Sequence, residues 1–234
     1  ERHIGHLADE SGRGFQCRQT EVRVLKLFVS FRVFRGLNRF VAMNWLAHLN
    51  LSEPSPQFRL GNMLPDMLPA RELAALPSEF QPGVKCHIRI DAFTDAHPLF
   101  RQSVARLSPR YRRFGGIIVD VFYDHFLSVN WSQHSAQPLR AAVDEFYASF
   151  DVYRAEFPAA LWPVLERMRE QDWLGSYGDL AGVRLALNRV GKRFREPREL
   201  GACEPELERD YAGFAQDFAA FYPKLKAHVA TSAD

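Results

Sequence analysis

Between Cys86 and Pro98 the chain reads CHIRIDAFTDAHP, which spaces His87, Asp91 and Asp95 four residues apart. On a helix that spacing lays one imidazole and two carboxylates along a single ridge, while Ile88, Ile90 and Phe93 point elsewhere. Such a ridge can converge on a divalent cation, or it can be a solvated helix face. His97 sits just before Pro98, where a helix is expected to stop. A second run, GGIIVDVFYDHFLSVNW at 115–131, carries Asp120 and Asp124 one turn apart with His125 directly after. Carboxylates among Ile117, Ile118, Val121, Phe122, Phe126 and Leu127 are costly to bury charged. A metal, an arginine or a helix N-terminus must answer them.

A third region is MNWLAHLNLSEPSPQFRLGNMLPDMLP at 43–69. His48 lies on its apolar part, four residues after Asn44, where a core histidine with one hydrogen bond competes with a working one. Gly61-Asn62 reads as a turn leading to Asp66, which is either a capping residue or a further ligand. Together His48, Asp66, His87, Asp91, Asp95, Asp120, Asp124 and His125 form a His/Asp set without thiolates. Cys17, Cys86 and Cys203 are far apart, make no CxxC pair and read as isolated thiols. Oxygen and imidazole donors favour Mn, Mg or Fe over a closed structural zinc site. A centre of that kind acidifies bound water and clamps phosphate oxygens, which suits attack on a phosphoester. The sequence has no P-loop and no GxSxG elbow.

The elements that must position these groups are helical. Leu139, Ala142, Val143, Phe146, Tyr147 and Phe150 follow an i, i+3, i+4, i+7 stripe, as do Leu207, Tyr211, Phe214, Phe218, Phe221, Tyr222 and Leu225. Residues 116–131 are apolar on most faces and are expected to form a central buried helix. No run alternates with period two. Breakers such as Pro65, Pro69, Pro82-Gly83, Pro98, Gly115-Gly116 and Gly175 to Gly178 mark joints between six to eight helices. The fold class is therefore all-α, with one compact multi-helix domain over 43–234. Residues 1–42 are expected to be an N-terminal extension, disordered or partly helical. Within it, the apolar stretch 22–41 is interrupted by Arg23, Lys26, Arg32, Arg35 and Arg39, too charged for a membrane span but suited to touching a membrane surface. No signal-peptide pattern is present.

Charge is uneven. Residues 1–42 carry eight Lys/Arg against four Asp/Glu, while the remainder has 22 basic and 24 acidic side chains. The main body is not basic, which argues against a general nucleic-acid binder.

The segments MNWLAHLNL at 43–51, RLGNMLPD at 59–66, HIRIDAFTDAHP at 87–98 and SPRYRRFGGIIVDVFYDHFL at 108–127, with Trp131, resemble the acyl carrier protein phosphodiesterases in order and in wording. That resemblance implies hydrolysis of the phosphodiester between 4′-phosphopantetheine and the serine of holo acyl carrier protein. It implies a cytoplasmic enzyme, a divalent metal (typically Mn) and a fold distantly like the helical HD phosphohydrolases. By motif it places Asp66, His87, Asp91, Asp124 and His125 as metal ligands, with Asp95 and Asp120 as additional candidates. His48, Asp66 and His125 become the catalytic candidates, His48 or His125 protonating the leaving serine oxygen. The departures are residues 1–42 and a divergent C-terminal half.

Two strips could dock an acidic carrier protein. One holds Arg101, Arg106, Arg110, Arg112 and Arg113; the other holds Arg184, Arg189, Lys192, Arg193 and Arg195. The first is the expected docking strip, through Arg106, Arg110, Arg112 and Arg113. The competing readings are a phosphohydrolase acting on a nucleotide or other small phosphoester, and a non-catalytic helical binding module.

Overall fold

The structure, a computed structural model, describes residues 44–231. The expectations for residues 1–42, including Cys17 and the basic stretch 22–41, lie outside the described residues.

Thirteen α-helices are found among the described residues, more than the six to eight expected, because several connections wind into single turns. They are α1 (Trp45–Asn50), α2 (Pro56–Met63), α3 (Ala70–Ala74), α4 (Gln81–Ala96), α5 (Pro98–Arg106), α6 (Pro109–Arg112), α7 (Gly115–Val129), α8 (Trp131–His134), α9 (Leu139–Val152), α10 (Trp162–Glu170), α11 (Leu180–Gly191), α12 (Glu204–Arg209) and α13 (Tyr211–Ala230). The chain is all-α, and no β-strand is found among the described residues.

The apolar run at 115–131 becomes α7, buried on nearly every face and packed against α1, α5, α11 and α13. Phe122 meets Phe214 edge-on, and Tyr123 packs on Phe218 and Phe221, so the α13 stripe closes over α7. The C-terminal stripe is not one helix. It breaks at Asp210, which leaves Leu207 on α12 and the remaining aromatics on α13.

One expected turn is instead the end of a helix, and one expected joint falls where a helix begins. Pro82 occupies the first turn of α4, where a missing N–H costs no hydrogen bond. Gly61-Asn62 is no turn but the last part of α2. A β-carbon on Gly61 would collide with the Phe80 carbonyl oxygen, and one on Gly83 with the Phe58 carbonyl oxygen. Glycine at both positions lets the backbones of α2 and α4 touch. That close crossing sets Asn62 against the ridge of α4.

A polar tie joins α5 to α13. Asp217 accepts from Gln102 Nε2 at 2.6 Å, Ser103 Oγ at 2.8 Å and Arg106 Nε at 2.7 Å. Its side chain is only 2% exposed. A buried carboxylate is tolerated here because its oxygens are well supplied with donors.

Candidate metal centre

The α4 ridge forms as expected, and its middle faces inward. His87 is buried and Asp91 half-buried, while Asp95 reaches the exposed rim. On α1, His48 is fully buried. His48 Nε2 lies 3.3 Å from Asp91 Oδ1, and His87 Nε2 lies 3.1 Å from Asp91 Oδ2. Asp66, in the single 3-10 turn after α2, brings Oδ1 to 3.6 Å from His87 Nε2. Trp45 Nε1 donates to its other oxygen at 2.7 Å. One ligand atom each from His48, His87 and Asp91 fall within 4.8 Å of one another.

Asn62 decides which ring nitrogens face this point. Its side-chain amide donates to the His48 carbonyl at 3.0 Å and to Ser52 Oγ at 2.9 Å, so its Oδ1 accepts from His48 Nδ1 at 2.9 Å. The Asn62 carbonyl accepts from His87 Nδ1 at 2.8 Å. Both Nδ1 atoms are thereby occupied as donors, and both Nε2 atoms are turned to Asp91. His48 Nε2 is buried without a hydrogen-bond partner. An unanswered imidazole nitrogen aimed at carboxylates is a poor core arrangement and a good metal ligand.

The electrostatics ask for positive charge. Burial works to lower His87, but the carboxylates of Asp91 and Asp66 outweigh it and push the imidazole up to about 9. Burial works to raise Asp91, and His87 and His48 hold it below the usual carboxylate range. Burial raises Asp66. On α7, burial and then the charges of Asp91, Asp95, Asp124 and Asp66 push Asp120 well up. None of these carboxylates forms an ion pair with Lys or Arg among the described residues. The set attracts a proton because it gathers negative charge in a dry place; a divalent cation suits it better.

Not every sequence candidate reaches the cluster. Asp124 spends its oxygens on α1, accepting from Leu46 N and Ala47 N at 2.9 Å each. It answers two of the unpaired amides at that helix's N-terminus, a task usually given to a capping residue on the same helix. His125 donates Nδ1 to the Tyr177 carbonyl at 2.8 Å and accepts at Nε2 from the Tyr211 hydroxyl at 3.0 Å. Burial lowers its pKa, so it is held neutral between those partners. Arg106 is drawn inward by Asp217 and Asp210, and Arg112 donates to the carbonyls of Leu107 and Ala105. Arg110 and Arg113 remain exposed, lying over Tyr111 and Phe114.

The family model described as acyl carrier protein phosphodiesterase matches residues 43–225. The chain belongs to the acyl carrier protein phosphodiesterase family. Relatives bearing that name are 30% identical over most of both chains. The one from Photorhabdus laumondii aligns over 184 residues, 78% of this chain and 93% of its own length. Those from Salmonella paratyphi A and Salmonella newport align over 192 residues, 82% of this chain and all of their own. No solved structure matches. The family resemblance read from the motifs between Met43 and Trp131 is thus shown over the greater part of the chain.

Sequence reasoning missed Asn62 and Trp45 as partners of the cluster. Asn62 did leave a signal: a fully polar amide between Gly61 and Met63 on an apolar helix face needs partners somewhere.

Proposed function

We propose that this chain hydrolyses the 4′-phosphopantetheine phosphodiester of holo acyl carrier protein, releasing apo carrier protein and 4′-phosphopantetheine. The observation that carries the reading is the meeting of His48, His87 and Asp91 at one point beside Asp66, in a chain of this family. In this reading His48, His87, Asp91 and Asp66 hold a divalent cation, Mn before Mg or Fe, with Asp120 as a further carboxylate. That cation supplies an activated water and neutralises charge on the phosphate oxygens.

The chain's own residues prepare the place. Asn62 fixes both rings with their Nε2 atoms inward. Trp45 holds Asp66 by one oxygen and leaves the other facing His87. The apolar residues of α1 and α7 exclude bulk water, which strengthens every charge interaction inside. Asp124 keeps the start of α1, and therefore His48, at its distance from α7. His125 supports α7 against Tyr177 and Tyr211. The catalytic domain begins near Met43, where the family match begins, and the enzyme acts in the cytoplasm.

The test is to incubate the protein with holo carrier protein and Mn and to follow the carrier's mass. Loss of the phosphopantetheine mass, abolished by chelator and by Asp91→Ala, is the expected result. Intact carrier with metal bound would move the search to small phosphoesters. Intact carrier and no metal would leave a helical binding module.

A further inference from the structure

Of the two basic strips, the one along and just beyond α11 spends, among the described residues, only Arg184, which lies 3.9 Å from Glu204. Arg167 near the end of α10, Arg189 near the end of α11, and Lys192 and Arg193 just beyond it form no ion pair among the described residues. They line a groove of about 510 Å³ together with Trp173, and none of the lining residues is acidic. A second hollow of about 760 Å³ continues it along Arg184 and Lys192, with Glu199 as its one acidic lining residue. Four unpaired cations around one concavity repel each other, which lowers stability unless an anionic partner answers them.

The inner end of the groove lies near the cluster. Arg193 lies with its guanidinium carbon 5.4 Å from the Trp45 ring centre and 5.7 Å from that of Trp173. The two indoles stack 5.5 Å apart and 2° from parallel. Trp45 in turn donates to Asp66. One indole therefore separates the inner end of the groove from a carboxylate of the cluster; burial lowers the Arg193 pKa, and the Asp66 charge works against that. Arg189 stacks over Trp173 at 5.1 Å, so Arg189 and Arg193 are held in place by aromatic faces rather than by acids.

We propose that the groove between α10 and α11, with Arg167, Arg189 and Lys192 at its mouth and Arg193 at its inner end, is the docking surface for the acidic face of the carrier protein. It rests on the reading of the chain as a carrier-protein hydrolase. The argument is charge complementarity together with place: this groove combines cations paired to no acid among the described residues with an inner end one indole away from the cluster. The strip at 101–113 has its best-placed arginine, Arg106, locked against Asp210 and Asp217.

The test is binding of apo carrier protein, which carries no phosphodiester, to the full-length protein at low salt. Arg167→Glu with Lys192→Glu changes two exposed side chains and is expected to weaken binding at least about tenfold while leaving the melting temperature in place. Binding to the native protein should fall as salt is raised. Bound carrier protein should also shield Lys192 from acetylation, a readout that needs no variant. Unchanged affinity in the double variant, or an undetectable complex with the native protein, would overturn the surface. So would a loss confined to Arg110→Glu with Arg113→Glu. Salt-dependent binding that needs Lys192, without hydrolysis of the holo form, would keep the surface and sink the proposed reaction.

Discussion

The rings of His48 and His87 stack with centroids 4.3 Å apart and planes 19° from parallel, and their Nε2 atoms address opposite oxygens of Asp91. The two histidines come from different helices, and a single residue, Asn62, sets both. Replacing Asn62 by Ala frees the His48 ring and takes one donor from the His48 carbonyl, while the backbone carbonyl that holds His87 stays in place. Metal affinity is expected to fall about 10- to 100-fold, the usual effect of removing an outer-shell partner. Folding stability should drop by roughly 1–3 kcal/mol. Titrating Mn against thermal unfolding measures both, and an unchanged affinity would show that the His48 ring keeps its orientation without the amide.

Asp124 and the N-terminus of α1 form the second relationship open to test. Asp124→Ala removes both acceptors of the Leu46 and Ala47 amides. The expected loss is about 2 kcal/mol, at the upper end for a cap because two buried amides lose their acceptor. Urea unfolding gives the value. A folded Asp124→Ala protein that still takes up Mn normally marks the residue as a support of α1; one that no longer does makes it a ligand.

Arg106 is expected to matter for stability rather than for docking. Arg106→Ala leaves Asp217 nearly buried and without its cation, at a cost of roughly 3 kcal/mol. Denaturant midpoints for this variant and for Arg110→Ala should differ clearly, since Arg110 is exposed. Equal midpoints would mean that Gln102 and Ser103 satisfy Asp217 unaided.

His125 gives the acid side of the stability profile. Its pKa is lowered from 6.5 by burial, so the unfolded chain takes up a proton before the folded one does. Its stabilising contribution is therefore complete above pH 6.5 and is lost as the pH falls toward the folded value. Urea midpoints between pH 8 and pH 5 should slope less steeply in His125→Gln than in the native protein. The same slope in both would mean that His125 stays solvated.

Much of this was legible in residue order. The α4 ridge follows from four-residue spacing alone, and the apolar run of α7 could only be a buried helix. The family resemblance rests on several motifs in sequence, each weak by itself. One reading failed for a local reason. Gly61-Asn62 looks like a turn because both residues favour turns, yet the glycine is needed for the contact between α2 and α4. Pro82-Gly83 does mark a joint, since the proline begins α4, and the glycine is the other half of that contact. A pair of glycines that serves packing is indistinguishable from a pair that serves turning until the partner helix is known.

By itself the sequence determined an all-helical chain, a His/Asp set rich enough to hold a cation, and membership of its family, because helical period, residue chemistry and motif order are properties of the chain read along its length. Only the tertiary structure decided the division of labour. Asp91 and Asp124 are both aspartates on well-formed helices, yet one meets two imidazoles and the other meets two backbone amides. Arg106 and Arg193 sit in equally basic strips, yet one is neutralised by Asp217 and the other rests on indole faces beside the cluster. What a charged side chain does depends on what lies opposite it, and its neighbours across the core come from residues far away in sequence.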